Sequence, residues 1–336
     1  MNYSLKDYDS DQKNLGGQLG IEVIRLDVNG RYRDMGYSIQ YRWYNDFEAI
    51  HHAFFNIPLK IDNHNLQIGI HQVPFGILPY GSHSFWFSTT YYLGFEDDYD
   101  TGVKYLGSND NWQWQVAFYK NAEYTDDKRL GRYSFDVVRS EKQQNIEVNQ
   151  GNIHLSRFIT LNNKSSLSAG FSAEVGQLYN YSTKDFGNRW ASAAFIDLNI
   201  NLWNIQIQAI NYEFRPENDP LVSDETIQLG AFLYPFLVSS KANVFTANIA
   251  RTFTPKNVWF EKLKLYNDWS AVFPLENGHE SIQNVTGILL TRGGLYTHID
   301  VIQGYNMWYS GGPGVALEND AAEWYSRLNI NMGYYF

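Results

Sequence analysis

From about residue 19 onward, apolar and polar residues alternate one for one through most of the chain, and stripes at helical spacing are nearly missing. In "MGYSIQYRWYN", Met35, Tyr37, Ile39, Tyr41 and Trp43 fall on one face, and Gly36, Ser38, Gln40, Arg42 and Tyr44 fall on the other. "WQWQVAFY" sets Trp112, Trp114, Val116 and Phe118 against Gln113, Gln115, Ala117 and Tyr119. "LSAGFSAEVG" sets Leu167, Phe171 and Val175 against Ser168, Ser172 and Glu174, and "WASAAFIDLNINL" sets Trp190, Ile196, Leu198 and Ile200 against Asp197 and Asn199. The final segment, "WYSRLNINMGYYF", keeps Trp324, Leu328, Ile330, Met332, Tyr334 and Phe336 in one parity. Neighbouring side chains on a strand point to opposite sides, so each segment predicts a strand with one greasy and one wet face.

Pairs of turn-forming residues punctuate these strands: Asn29-Gly30, Asp62-Asn63, Asn109-Asp110, Asn162-Asn163 and Gly293-Gly294. Longer polar stretches, residues 215–225 and 303–323, join others. Residues 131–160 read as two strands or as one long bent hairpin, and only Asn2–Asp7 represents a first strand. A soluble β-sandwich also alternates, but its strands average about 5–6 residues. Here the runs often reach the roughly 9–11 residues that a tilted strand needs to cross a bilayer. Gly, Ser, Asn and Gln on the wet face suit a water-filled lumen. The expectation is an all-β fold: a transmembrane antiparallel β-barrel of about 16 strands (14–18), with residues 1–336 as one domain.

Composition supports this reading. With 25 Tyr, 21 Phe and 10 Trp, aromatics reach the density that interfacial belts would explain. A net charge of −10 argues against a nucleic-acid partner. There is no Cys, hence no disulfide or thiolate metal site. No apolar run is long enough for a transmembrane helix. The start, "MNYSLKDYDSDQKN", is polar and acidic and is no signal peptide, so an exported protein would appear here in its mature form.

Residues 74–100, "PFGILPYGSHSFWFSTTYYLGFEDDYD", break the alternation. So long an irregular segment in a compact fold is usually functional, and this one is too aromatic to stay solvated. It predicts a loop folded into the lumen. The stretch leading into it, "GIHQVPFG" (Gly69–Gly76), resembles the strand-end motif of the phosphate-selective porin O/P family, where Val-Pro-Phe-Gly opens the constriction loop. The resemblance spans roughly residues 17–120. It implies a passive channel with residues 77–97 inside it, and a terminal strand whose Phe336 is read by the barrel-assembly machinery. Gln72 stands where the family usually carries Lys, and the loop has no Arg or Lys to grip phosphate, so the channel carries over and the phosphate preference does not.

Pore-lining or constriction candidates follow: Gln40, Arg42, His52, His71 and Gln72 on wall strands, and Phe85, Trp86, Phe87, Tyr91, Tyr92, Glu96, Asp97 and Asp98 in the loop. Glu174 and Asp197 also fall on wet faces. The loop aromatics suit either a stacking path for sugar rings or an anchor to the wall. An acidic mouth at Glu96, Asp97 and Asp98 predicts a weak lean toward cations. His51 and His52, adjacent on a strand, should face opposite ways and share no metal. The carboxylates of "EDDYD" are of the kind that Ca²⁺ takes, although a solvated acidic loop is the plainer reading. No nucleophile elbow or phosphate loop is present, so neither enzyme nor cofactor is expected. The expected protein is a Gram-negative outer-membrane porin for small hydrophilic solutes, with lipid and lipopolysaccharide around it and a homotrimer as its usual assembly. The alternatives are a channel preferring phosphate-like anions or sugars, a non-conducting surface receptor or adhesin, and a soluble carbohydrate-binding β protein.

Overall fold

The structure, a computed structural model, describes residues 1–336 except 127, 142 and 257. Its wall is built from β1 (Asn2–Lys6), β2 (Gln18–Gly20, resuming as Val23–Tyr32), β3 (Met35–Tyr44), β4 (Glu48–Pro58), β5 (His64–Gln72), β6 (Tyr99–Ser108), β7 (Trp112–Ala122) and β8 (Asn145–Asn162). It continues with β9 (Ser165–Asn180), β10 (Phe186–Ile200), β11 (Trp203–Arg215), β12 (Lys241–Phe253), β13 (Lys262–Pro274), β14 (Ser281–Arg292), β15 (Leu295–Tyr305) and β16 (Trp324–Tyr334). These sixteen segments form one sheet, which counts as 17 strands because β2 is interrupted. Neighbours in the chain are antiparallel neighbours in the sheet from β2 to β16. β16 also pairs with β1, Lys6 opposite Arg327, and β1 pairs with the first piece of β2, Tyr3 opposite Leu19.

Exposure along the wall runs opposite to that of a soluble protein. On β9, Phe171 and Val175 are 46% and 64% exposed, while Ser172 and Glu174 between them are 0% and 2%. A wall with apolar residues outside and polar ones inside belongs in hydrocarbon. Among the described residues, no helix is long and apolar enough to cross a membrane.

Connections sort by end. On the side where β16 finishes they are short: residues 33–34, 59–63, 109–111, 163–164, 201–202, 254–261 and 293–294. The other side carries all the long ones, residues 73–98, 123–144, 216–240 and 306–323, beside the short connections 45–47, 181–185 and 275–280. Three of these long connections lace into a second sheet. Thr226–Ala231 and Tyr234–Ser239 form a hairpin, Asp136–Val137 joins one edge, and Gly314–Val315 joins the other in parallel. This cap packs an apolar core inside the wall: Phe135, Ile227, Leu229, Phe236, Val238 and Met307 meet Val73, Phe75 and Phe95 of residues 73–98. Each such side chain, fully buried, contributes about 1.5–3 kcal/mol.

Three expectations change. Asn29-Gly30 lies within β2, and the turn falls at Arg33-Asp34; a Cβ on Gly30 would stand 2.2 Å from the Tyr37 hydroxyl across the hairpin, so the glycine makes room for a ring. Residues 131–160 supply one long wall strand, β8, and the short cap segment Asp136–Val137. His51 and His52 do not face opposite ways: their Nδ1 atoms are 2.9 Å apart. Between β3 and β4 the register slips, with Gln40 opposite His52 and Tyr41 opposite Ile50, so His51 is the extra residue of a β-bulge.

Candidate functional site

Residues 73–98 are buried at both ends, at 73–77 and 88–98, mostly half-buried or exposed around Leu78–Phe87, and fastened to the inward face of the wall. The Gly76 amide donates to Ser172 Oγ (2.8 Å) and the Ile77 amide to Gln208 Oε1 (2.8 Å). Both the His83 and Ser84 amides donate to Asp268 Oδ2 at 2.7 Å, and the His83 ring meets Asp268 Oδ1 at 2.7 Å. Gln283 donates to the Phe87 carbonyl (2.8 Å) and Ser270 accepts from the Thr89 amide (3.0 Å). The inward polar positions of β9, β11, β13 and β14 thus become hydrogen-bond partners for a backbone that has no sheet of its own. Ser88 caps the single helical turn Thr89–Tyr92.

Between this loop and the opposite wall lies a cavity of about 1080 Å³. The loop side presents Tyr80, Phe85, Trp86, Phe87, Tyr91 and Tyr92, with Phe87 stacked on Tyr91 at 4.4 Å. The wall side presents Lys6, Arg25, Arg42, Lys264 and Arg327. Arg25 stands directly opposite Arg42 on β2 and β3, and Lys6 directly opposite Arg327 on β1 and β16. Like charges facing each other across a strand pair cost stability. Among the described residues none of these five cations is ion-paired; Arg327 lies over the Trp86 ring at 4.4 Å and Arg42 over the Tyr133 ring at 4.3 Å. Glu22, Asp46 and Asp97 are the acids on the same surface.

Of the residues expected at a pore, Arg42, Phe85, Trp86, Phe87, Tyr91, Tyr92 and Asp97 line this cavity. The others stand apart from it, each held by neighbours. Gln40 donates to Asp27, His52 meets Ser38 Oγ at 2.8 Å, and His71 lies buried with Tyr119 at 3.1 Å. Gln72 donates to the Pro79 carbonyl at 2.8 Å, while Lys104 donates to the Gln72 carbonyl at 2.6 Å. Away from the lining, Glu174 is ion-paired with Arg189, and Asp197 accepts from Asn204.

The acidic mouth is not formed. Glu96 is buried under the hydroxyls of Ser82, Ser88 and Thr90, each 2.7 Å away, and burial lifts its carboxyl above the ordinary range against their pull. Asp98 is buried outside the cavity lining. Only Asp97 faces the cavity; burial pushes its carboxyl up to about 6, opposed by the hydroxyl of Tyr133 and by Arg42. Asp97 in turn, with burial second, pushes the Tyr80 hydroxyl up to about 12. The charge that remains on this surface is therefore mainly basic. Arg25, Lys264 and Arg327 were legible as inward-facing from their parity within alternating strands, but their convergence required the ring of pairings.

No family model matches the chain. No curated protein matches it either. Among solved structures, the chain is similar to the outer membrane channel DcaP of Acinetobacter baumannii (12% identity, TM-score 0.58, covering 100% of this chain and 94% of that one). It is also similar to an anion-selective porin from Comamonas acidovorans (9% identity, TM-score 0.59, 100% and 96% covered) and to OmpT, an outer membrane protein of Vibrio cholerae (12% identity, TM-score 0.53, 99% and 94% covered). At these identities the likeness concerns the fold: the chain has the architecture of an outer-membrane β-barrel.

Proposed function

We propose that this chain is an outer-membrane porin of a Gram-negative bacterium, through which small hydrophilic solutes diffuse passively, and that its constriction favours anions. The first part rests on the inverted wall and the infolded loop. The second rests on one observation: two cross-strand pairs of like cations, Arg25 with Arg42 and Lys6 with Arg327, face the cavity without ion-pair partners among the described residues. A fold keeps such repulsion where the charges serve something that passes. This reverses the cation lean expected from the acidic segment, because Glu96 and Asp98 are withdrawn from the lining. The aromatic wall opposite would guide anions with a flat apolar body as well as small inorganic ones. Residues 74–100 act as the constriction loop of a single barrel domain. Catalysis has no part in this reading. The partners are lipid and lipopolysaccharide on the apolar face, the assembly machinery at the strand ending in Phe336, and sister copies in a trimer. A preference for phosphate-like anions, the alternative kept beside the general porin, would be a special case of the same selectivity, carried by the wall cations and not by the Gly69–Gly76 motif.

Reversal potentials in planar bilayers under a KCl gradient test it. Wild type should carry more chloride than potassium, and Arg42→Gln with Arg327→Gln should move the potential toward the cation side. Cation selectivity in wild type would overturn the anion preference, and the absence of any steady conductance would favour a receptor or adhesin instead.

A further inference from the structure

Outside the cavity lining, at the root of the infolded loop, three carboxylates converge. Asp98 is the last residue before β6, Asp100 lies on β6, and Asp136 comes from the cap. One oxygen from each lies within 4.8 Å of the other two, and the residues are only 7%, 2% and 2% exposed. Oxygens that share one Ca²⁺ ion at about 2.3–2.6 Å are at most about 5 Å apart, so the spacing is that of a coordination shell.

The surrounding charges leave two of these groups without a partner. Arg132 lies 2.8 Å from Asp136 and 3.7 Å from Glu123. Arg189 is taken by Glu147 and Glu174. Asp98 and Asp100 have no cation among the described residues, and Asp98 Oδ1 and Asp100 Oδ1 are sealed from water with no hydrogen-bond donor. An isolated buried carboxylate is among the costliest things a fold can hold unless a counter-charge is supplied.

We propose that Asp98, Asp100 and Asp136 bind one Ca²⁺ ion, which ties the end of the infolded loop to the cap. The ligand set is all oxygen, as a hard cation requires, and lacks the nitrogen or sulfur that softer metals select. Ca²⁺ tolerates irregular geometry where Mg²⁺ demands a near-ideal octahedron and keeps its waters. The ion would fasten the loop at its Asp98 end, away from the bonds that Gly76 makes to Ser172 and that His83 and Ser84 make to Asp268. The inference holds whatever solute the channel passes.

The test reads binding rather than conduction. Protein purified in detergent and stripped with EDTA is dialysed against ⁴⁵Ca²⁺. One ion per chain should bind; Asp98→Asn and Asp136→Asn should each weaken binding at least tenfold, while Asp185→Asn, an exposed loop change, should not. Thermal unfolding gives a second readout. Ca²⁺ should raise the wild-type midpoint by several degrees, and Asp98→Asn should abolish that rise while unfolding in EDTA no earlier than wild type, because the amide relieves repulsion. Asp100→Asn should repeat the pattern. Absence of saturable binding, binding unchanged in the Asp98→Asn/Asp136→Asn double variant, or an Asp98→Asn midpoint lowered equally with and without Ca²⁺ would each overturn the site.

Discussion

Asp268 receives three hydrogen bonds from the infolded loop, two from backbone amides and one from the His83 ring, at a position almost sealed from water. Bonds to a charged acceptor are the strong kind, and a mismatched partner left buried costs the full desolvation. In Asp268→Asn, an NH₂ can end up facing two N–H donors. The expected loss is about 2–3 kcal/mol, seen as a lower denaturation midpoint in micelles, together with noisier single-channel current as the loop loosens. Alternation along β13, with Leu263 and Leu265 in the opposite parity, is enough to set Asp268 on the inward face but does not name its partner, which lies far away in sequence. Parity failed outright at His51 and His52, because a bulge is set by the strand opposite and not by the strand that carries it. "EDDYD" misled for a related reason. Written as a line it looks like a solvated acidic run; folded, it sends Glu96 under three hydroxyls, Asp97 to the cavity and Asp98 toward Asp136.

At the scale of elements, residues 73–98 behave as a guest within the wall. Their amides bond to side chains of β9, β11 and β13, whereas each wall strand bonds to its neighbours through the backbone. Replacing residues 77–95 by a short Gly-Ser turn should therefore leave the wall able to form, shown by heat-dependent mobility on gels. Single-channel conductance should rise severalfold, since the loop and its aromatic rings leave the lumen. Unchanged conductance would mean that these residues do not limit the passage. The existence of this loop was legible in the loss of alternation after Gln72. Its destination was not, since the polar wall positions that receive it look the same as positions that face water. Asn29-Gly30 shows the converse error: a turn signature spent inside a strand, where Gly30 gives way to the Tyr37 ring.

For the molecule as a whole, the decisive contrast is between two kinds of exposed residue. Phe171 on the outer face of β9 and Leu221 in residues 216–240 are both exposed, the latter at 95%. In water, an arginine at either place would matter little. In a bilayer, Phe171→Arg should cost about 2–4 kcal/mol near the midplane, while Leu221→Arg stays near zero. Folding into lipid vesicles under denaturant measures both, and equal small effects would argue against a membrane wall. The strand run and its sidedness were readable from alternation, because the bilayer imposes one rule on every strand. The cap was not, since Asp136–Val137 and Gly314–Val315 are too short to carry any periodicity.

That cap also restricts how this end of the molecule can diverge among descendants of the chain. Residues 136–137, 226–239 and 314–315 are stitched into one sheet and share one apolar core with the infolded loop. A lengthened or shortened segment there would unpick partners contributed from elsewhere. Insertions and deletions should thus be accommodated at projecting tips such as Asp219–Ser223, whose bonds stay largely local.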